Sequence, residues 1–487
     1  MKRPHLTRAT IFFGLVAFAV PAFSQGRGGS DWSTIGNDAQ RSAWVRTDPK
    51  ISAASMQKPG FQFMWKSKPG SDALSAPTLM DRYIGYRGFR SYAFVGGAAN
   101  NVYVFDSDLS RVEWKKHFPV TAGAGVCGGG MTASVARDVS SALPMTGGGG
   151  RGGGGGRGGP AKSGVGAPGE GAVTLAAAAA NQQPPMNPNA GRGAAAGGRG
   201  TINPATPPRP GRMPTFLRVL SGDGAFHNMY ISNGEEPQPP VKFLPGKANA
   251  SDLIVVDNVA YVVTSGKCSG VADGVWALDL ATKTVASWSG AAIGTAFGPD
   301  GVVYVSTSTG DVVALEAKTL AKKASFPAGQ PLVSSPVVFD TKAGLRVAVT
   351  AKDGSVHVLD AASLAKVASS APAMGAGAMA AWTDAAGTNW ILSGANAWKL
   401  NGASLESGWK AGSASPTAVA VVNGVVFLAA GNTLSAVDAA TGKQVFTSGA
   451  TITSPISKVS GLAAGGSAVY LGTQDGTLYA FGFPIEH

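Results

Sequence analysis

A short pattern recurs eight times along this 487-residue chain: a turn residue, one residue, an apolar residue, one more, and then a near copy of Ala-Leu-Asp. The position of the leucine falls at residues 105, 229, 278, 315, 359, 400, 437 and 481, so the last six intervals are 49, 37, 44, 41, 37 and 44 residues. Units of about 40 residues that are rich in short strands are typical of propeller blades. The period therefore predicts an all-β, eight-bladed β-propeller of four-stranded antiparallel blades.

The strands can be located inside one unit. Ser334–Val338, Arg346–Thr350 and Val356–Leu359 alternate or are rich in β-branched residues, as strands are. The Asp that follows the leucine begins a tight turn, because an Asp side chain accepts hydrogen bonds from backbone amides ahead of it. This turn should join the third and fourth strands of each blade.

A large apolar residue follows that Asp at a repeated offset, which suggests that it covers the gap to the next blade; these residues are Trp114, Trp288, Trp409 and Phe446. The eighth copy ends at Phe481, only six residues before His487, so blade eight lacks room for its own fourth strand. Phe61–Lys66 carries a tryptophan suited to that position. We predict that it closes the ring as the outer strand of blade eight, which removes an open edge.

These residues resemble a known family. Ala436–Lys443, followed by Phe446, is similar to the repeat of the pyrroloquinoline-quinone (PQQ) enzymes and of PQQ-like propellers without activity, such as the outer-membrane assembly factor. Asp31–Trp44 resembles the segment that opens many of these chains. The resemblance covers residues 31–143 and 214–483. It implies a fold more strongly than an activity, because propellers serve many functions.

The N-terminus predicts export. Lys2, Arg3 and Arg8 precede an apolar run from Ile11 to Ala22, and Ser24 completes a cleavage site of small residues. We therefore expect a signal peptide over residues 1–24, an N-terminal extension over 25–60 and the propeller over 61–487. The mature protein should be periplasmic or secreted and monomeric, with no transmembrane anchor; the apolar run is too short to favour an anchor.

A compositionally biased insert interrupts blade two at residues 146–213, where Gly, Ala and Pro dominate. Such a segment buries too little apolar area to offset its ordering entropy, so we expect it to be disordered. The formal charge of +12 divides into +3 in the signal peptide, +6 in the insert and +3 in the rest. The propeller is therefore nearly neutral, which argues against nucleic-acid binding by it. The insert is either an inert linker or a contact for an acidic envelope polymer.

Cys127 and Cys268 are the only cysteines. In an oxidising compartment they can pair, and two lone cysteines can also remain free. Their places in blades two and three fall on the same face of the ring. A disulfide between them is therefore compatible with the predicted topology, and the sequence leaves both states open.

The residues give little sign of catalysis. The PQQ resemblance implies a cofactor in the central channel with calcium or a lanthanide, a catalytic Asp and a vicinal disulfide, but the chain has no Cys-Cys pair and no Cys-x-x-Cys-His haem site. The repeated Asp residues are explained by their turns, and the histidines have no zinc spacing. We predict no catalytic residue and no metal site.

The most irregular region is the Pro-rich route from blade two into blade three. Loops that enter a first strand lie at the mouth of the channel, where propellers usually bind ligands. Lys247, Asn249 and Asp252 are therefore the candidates for a polar, ligand-binding rim, although such side chains also cap loop backbone. The sequence favours a non-catalytic binding or scaffold protein of the envelope. The alternative is a PQQ-dependent alcohol or sugar dehydrogenase.

Overall fold

The computed structural model describes residues 31–484 except 71, 86–87, 120–126, 128–129, 144–215, 413–414 and 457–460. The predicted signal peptide over residues 1–24 and the predicted insert over 146–213 lie outside the described residues. The described chain forms eight sheets, and the first strands of neighbouring blades contact one another around an axis. The prediction of an eight-bladed propeller built mainly from four-stranded antiparallel blades is confirmed.

The strands follow the repeat in chain order. Before blade one lie β1 (Trp44–Val45) and β2 (Gln62–Ser67). Blade one contains β3 (Thr78–Gly85), β4 (Gly88–Gly97), β5 (Asn101–Asp106) and β6 (Arg111–His117). After β7 (Asp138–Val139), blade two contains β8 (Phe216–Leu220), β9 (Ala225–Tyr230) and β10 (Val241–Lys242). Blade three contains β11 (Ala250–Val256), β12 (Val259–Thr264), β13 (Gly274–Asp279) and β14 (Val285–Ser289). Blade four contains β15 (Ala292–Phe297), β16 (Val303–Thr307), β17 (Asp311–Leu315) and β18 (Lys322–Pro327).

The second half of the ring is more regular. Blade five contains β19 (Val337–Thr341), β20 (Gly344–Thr350), β21 (Val356–Asp360) and β22 (Lys366–Ser369). Blade six contains β23 (Met379–Thr383), β24 (Asn389–Ser393), β25 (Asn396–Asn401) and β26 (Ser404–Lys410). Blade seven contains β27 (Ala418–Val422), β28 (Val425–Ala430), β29 (Thr433–Asp438) and β30 (Gln444–Thr447). Blade eight contains β31 (Leu462–Gly465), β32 (Ala468–Gly472) and β33 (Leu478–Gly482).

Blade eight takes its outer strand from the N-terminal part of the chain. The predicted strand at residues 61–66 is found as β2, which pairs antiparallel with β33 and places Phe63 opposite Phe481. The indole N–H of Trp65 donates to the carbonyl of Ser107 in blade one at 3.0 Å. The strand therefore joins the last blade and also contacts the first.

The repeated turn and the repeated aromatic residue have the predicted roles. Asp438 accepts hydrogen bonds from the amides of Ala440 and Thr441, at 3.1 and 2.9 Å. The indole N–H of Trp409, on the outer strand of blade six, donates to the carbonyl of Ala439 in blade seven at 2.9 Å. The turn of blade seven therefore also receives the aromatic side chain of blade six, which couples these two blades.

Blade two departs from the repeat. Within the described residues its sheet has three strands, and β10 is only two residues long. Residues 130–136, which precede the insert, contribute a single bridge between Ala136 and Arg218 instead of a regular first strand. The chain then pairs β7 in parallel with β11 of blade three. Blade two is therefore held partly by neighbouring blades.

The ring has two faces. Connections that enter the first strand of a blade, and turns between its second and third strands, lie on one face, which we call the entry face. Turns between first and second strands, and between third and fourth strands, lie on the opposite face. The core lies between neighbouring blades, as in the packing of Tyr261 against Phe297 with ring centroids 4.8 Å apart.

Candidate functional site

The central channel, where the resemblance implies a ligand, contains the chain's own N-terminal segment. Residues 31–48, which we call the channel segment, pass along the first strands of the blades. β1 pairs in parallel with β27 on the side of the axis, with Trp44 opposite Val421. Trp32, Ala39 and Val45 are each at most 1% exposed. The segment that was predicted only as an extension is therefore part of the core.

Backbone hydrogen bonds fix the channel segment to six blades in turn. An amide N–H from each of blades one, two, four, five, six and seven donates to one of its carbonyls. The pairs are Leu79 to Trp32 at 2.7 Å, Arg137 to Ser33 at 2.8 Å, Phe297 to Ala39 at 2.9 Å, Val338 to Gln40 at 2.9 Å, Ala381 to Ser42 at 3.0 Å and Val421 to Ala43 at 2.7 Å. Buried amides that lack an acceptor are costly, so these contacts stabilise the inner edges of the blades.

Arg41 is the charged centre of the channel segment. Its guanidinium contacts Asp252 with N and O 2.6 Å apart, and the side chains are 3% and 8% exposed. The other carboxylate oxygen of Asp252 accepts from the amide and the hydroxyl of Thr295, at 2.9 and 3.0 Å. Both charges are thus neutralised and hydrogen-bonded inside the ring, as buried charges require.

The described residues do not fit the site that a PQQ enzyme would need. Calcium binds six to eight oxygens that usually include carboxylates, yet the described part of the chain contains no group of three or more His, Cys, Asp or Glu side chains able to hold a metal. Asp252, a buried carboxylate that faces the channel segment, already pairs with Arg41. We therefore derive no chemistry through this cofactor.

The three predicted rim residues lie at different depths. Lys247 and Asn249 belong to the loop that enters β11 on the entry face. The side-chain amide of Asn249 donates to the Ser265 hydroxyl at 3.0 Å. Asp252 lies deeper, in the ion pair with Arg41. A ligand-binding role for these residues stays a prediction, and the carboxylate of Asp252 has protein partners for both oxygens.

A disulfide links Cys127, in the loop that enters blade two, to Cys268, in the loop between β12 and β13 of blade three. The two Cα atoms are 5.4 Å apart, and the sequence separation is 141 residues. Cys268 is buried in a one-turn 3₁₀ helix, Cys268–Gly270. The covalent bond thus joins two loops of the entry face.

A shallow cavity of about 430 Å³ opens on the entry face, between the loops of blades five, six and seven. Lys352, Asp353, Pro372 and Ser415 are among its lining residues. Met374 also lines it and is 84% exposed. This part of the surface offers apolar contact area beside charged groups, as protein-binding surfaces do.

Blade two contains a second polar cluster that sequence reasoning missed. Nε2 of His227 lies 2.8 Å from the hydroxyl of Ser221, and Nδ1 lies 3.0 Å from a carboxylate oxygen of Glu236. Lys116, from blade one, contacts the other oxygen of Glu236 at 2.6 Å. His227 and Ser221 are 6% and 3% exposed. The signal in the sequence was an Asp-Gly turn followed three residues later by a histidine, Asp223–His227.

This connectivity is that of a hydrolase triad, but its details indicate a structural role. The Ser221 hydroxyl also contacts the Asp223 carboxylate and the Ala225 carbonyl within its own turn. Thr473 makes the same contacts with Asp475 and Thr477 in blade eight. The amide of Gly222, beside the serine, donates to Asn100 and is not free for an oxyanion. A buried serine so engaged is a turn residue.

The ionisation of the cluster is set by its hydrogen bonds. Burial opposes charge on Glu236, but hydrogen bonds from Lys116 and His227 outweigh it, so the pKa of Glu236 is lowered. Burial also opposes charge on Asp223, and the bonds from Ser221 and Ala225 lower its pKa in the same way. Both carboxyl groups are therefore ionised at neutral pH.

Comparisons with known proteins agree on the fold. A europium-containing methanol dehydrogenase is similar in structure, with a TM-score of 0.55 and 11% identity over 93% of this chain and 98% of that one. The quinohemoprotein alcohol dehydrogenase of Comamonas testosteroni gives a TM-score of 0.53 and 12% identity over 94% and 81%. The computationally designed Ika8 protein gives a TM-score of 0.53 and 13% identity over 87% of this chain and 100% of that one. The predicted resemblance to PQQ-type propellers is confirmed at the level of the fold.

Sequence comparison adds no closer relationship. No family model matches the chain, and no curated protein matches its sequence. Among the described residues, no helix is long and apolar enough to cross a membrane. The similar folds include two enzymes and a designed protein, so the fold alone does not assign an activity.

Proposed function

We propose that this chain is an exported, non-catalytic propeller that binds a protein or polymer of the cell envelope through its entry face. The observation that carries the proposal is the channel segment. Its backbone accepts hydrogen bonds from the inner edges of six blades, and its Arg41 neutralises Asp252. A channel filled and neutralised in this way favours a binding role at the surface over chemistry inside the ring.

The entry face has features suited to a partner. The exposed side chain of Met374 stands beside the charged groups of Lys352 and Asp353 in the shallow cavity. Val333, in the loop that enters blade five, is 43% exposed. Exposed apolar residues beside a polar rim are common in protein interfaces. The disulfide restrains other loops of the same face, so these loops lose less conformational entropy when a partner binds.

The competing function, a PQQ-dependent dehydrogenase, is tested by reconstitution. Purified mature protein is titrated with PQQ and calcium, and quinone absorbance and dye reduction with mixed alcohols and sugars are recorded. We expect no saturable binding and no substrate-dependent dye reduction. Stoichiometric binding with dye reduction would overturn the proposal in favour of the enzyme.

The surface is tested by photocrosslinking in intact cells of the source organism. A photoreactive residue at Met374 is compared with one at Phe89, which is 72% exposed near the turn between β3 and β4 on the opposite face. We expect a discrete adduct from position 374 that is absent or much weaker from position 89. Equal labelling from both positions, or none from either, contradicts binding through the entry face.

A further inference from the structure

We propose that the contact between blades one and two is proton-linked: His227 is a buried imidazolium that holds the two blades together and releases them when it loses its proton. This inference is independent of the ligand that the protein binds. It stands on the arrangement of Ser221, Asp223, His227, Glu236 and Lys116, whose groups form one continuous chain of contacts.

The hydrogen bonds can be satisfied in only one way. The Ser221 hydroxyl has a single proton, and its closest neighbour is the ionised carboxylate of Asp223, which can only accept. The hydroxyl therefore donates to Asp223, and Nε2 of His227 must carry a proton to bond the Ser221 oxygen at 2.8 Å. On the other side, Nδ1 must also carry a proton to bond the carboxylate of Glu236 at 3.0 Å. Both nitrogens of His227 are then protonated.

Two carboxylates lie close to this cation. Glu236 accepts from both Lys116 and His227, and Asp223 is reached through the Ser221 hydroxyl, so a positive charge on His227 is placed next to negative groups. Lys242, from β10, is the further cation that acts on Asp223, and it donates to the backbone carbonyl of that residue. The ring of Phe118 lies over the imidazole, with centroids 4.2 Å apart, where an aromatic face favours a cation.

The cluster joins the blades because its members come from different elements. Lys116 lies on β6, the outer strand of blade one, and Phe118 follows that strand. His227 lies on β9 of blade two, and Glu236 lies in the loop after it. The ammonium of Lys116 also donates to the carbonyl of Gly234 at 3.1 Å. Loss of the His227 proton removes one bond and one of the positive charges that face Glu236 and Asp223.

The protonation state is tested directly by NMR. Mature protein labelled with ¹⁵N-histidine is compared with the His227→Gln variant, which identifies the His227 signals. We expect both ring nitrogens of His227 to show imidazolium shifts at pH 7, whereas a neutral ring would show one protonated and one bare nitrogen. A neutral, single-tautomer His227 at pH 7 would overturn the proposal.

The coupling is tested by melting temperature against pH. An unfolded histidine loses its proton near pH 6.5, so a folded site that retains the proton loses stability as pH rises above that value. We expect the melting temperature to fall between pH 6.5 and 9 more steeply in the wild type than in His227→Gln. Glu236→Gln, which keeps the side-chain shape, should reduce this fall as well, and His117→Gln should leave it unchanged.

Two results would contradict the coupling. One is a melting profile of His227→Gln parallel to that of the wild type between pH 6.5 and 9. The other is an equal change in His117→Gln, whose imidazole lies on the exposed side of β6 and contacts Asn101. If His227→Gln does not fold, an NMR titration that compares the wild type with Glu236→Gln still tests the proposal. The Glu236→Gln substitution removes the negative charge beside the imidazolium, so His227 should lose its proton at a lower pH than in the wild type.

Discussion

Blades two and five carry the same local sequence feature, an Asp-Gly turn with a histidine three residues after the glycine, and use it in opposite ways. His227 in blade two contacts the Glu236 carboxylate at 3.0 Å and, on its other side, the Ser221 hydroxyl that donates to Asp223. In blade five, Nδ1 of His357 is buried without a partner, and burial together with Lys366 lowers the pKa of His357. The backbone repeat is shared, and the charged residues around each histidine decide the electrostatics: Glu236 and Lys116 beside His227, and Lys366 beside His357.

The two blades also differ in how they are held. Blade five is a regular four-stranded sheet whose residues, such as Val347 and Leu359, pack into apolar clusters with its neighbours. The described part of blade two has three strands, and the blade is stabilised by a disulfide, a buried ion pair and the His227 cluster. A blade with a weakened sheet thus depends on specific polar and covalent contacts, and each can be removed separately.

The largest effect is expected from the disulfide. The double variant Cys127→Ser with Cys268→Ser opens a loop of 141 residues in the unfolded chain. Closure entropy for loops of that size predicts a loss of about 4–5 kcal/mol in the free energy of unfolding. Urea denaturation measures it. A loss below about 1 kcal/mol would show that blade two does not depend on this bond.

Next comes the ion pair of Arg218, which contacts both oxygens of Asp138 at 2.7 and 2.6 Å and is 6% exposed. Arg218→Ala leaves a buried carboxylate unpaired, so we expect a loss of about 3–5 kcal/mol. The matched change in blade five, Arg346→Ala, removes a contact with Asp360, which is 34% exposed. There we expect about 1 kcal/mol. Equal losses of unfolding free energy in the same denaturation assay would contradict the proposed difference between the two blades.

The smallest effect is expected from His357. Because its folded pKa is lowered, the unfolded chain binds the proton more readily as pH falls below about 6.5. The folded protein therefore loses stability in acid through this residue, and His357→Gln should reduce the fall in melting temperature between pH 6.5 and 5. If the substitution leaves the fall in melting temperature between pH 6.5 and 5 unchanged, the folded protein does not disfavour protonation of His357.

Sequence reasoning reached the fold because the blade period and its turn are local features. Asp438 and Trp409 could be assigned their roles from spacing alone, and both assignments agree with the structure. The channel segment could not be predicted, since Arg41 finds Asp252 only when the ring is formed, 211 residues further along the chain. The His227 cluster was missed for the same reason, because Lys116 belongs to a different blade.

Asp252 shows most clearly what could not be predicted from the sequence. Its place after a Pro-rich loop suggested an accessible rim, whereas its carboxylate is buried against Arg41 and Thr295. Residues that depart from the repeat thus do mark special sites, but their partners come from distant segments. Only the three-dimensional contacts separate a residue that binds a ligand from one that stabilises the ring.

The claim that the channel is filled by residues 31–48 is tested most directly by native-state hydrogen exchange. The amides of Ala381 and Val421, which donate to carbonyls of the channel segment, should exchange only through global unfolding, and Arg41→Ala should accelerate them more than amides of the outer strands. If these two amides exchange in the wild type as fast as amides of exposed loops, the channel is not filled by residues 31–48. The interior of the ring would then again be a candidate ligand site.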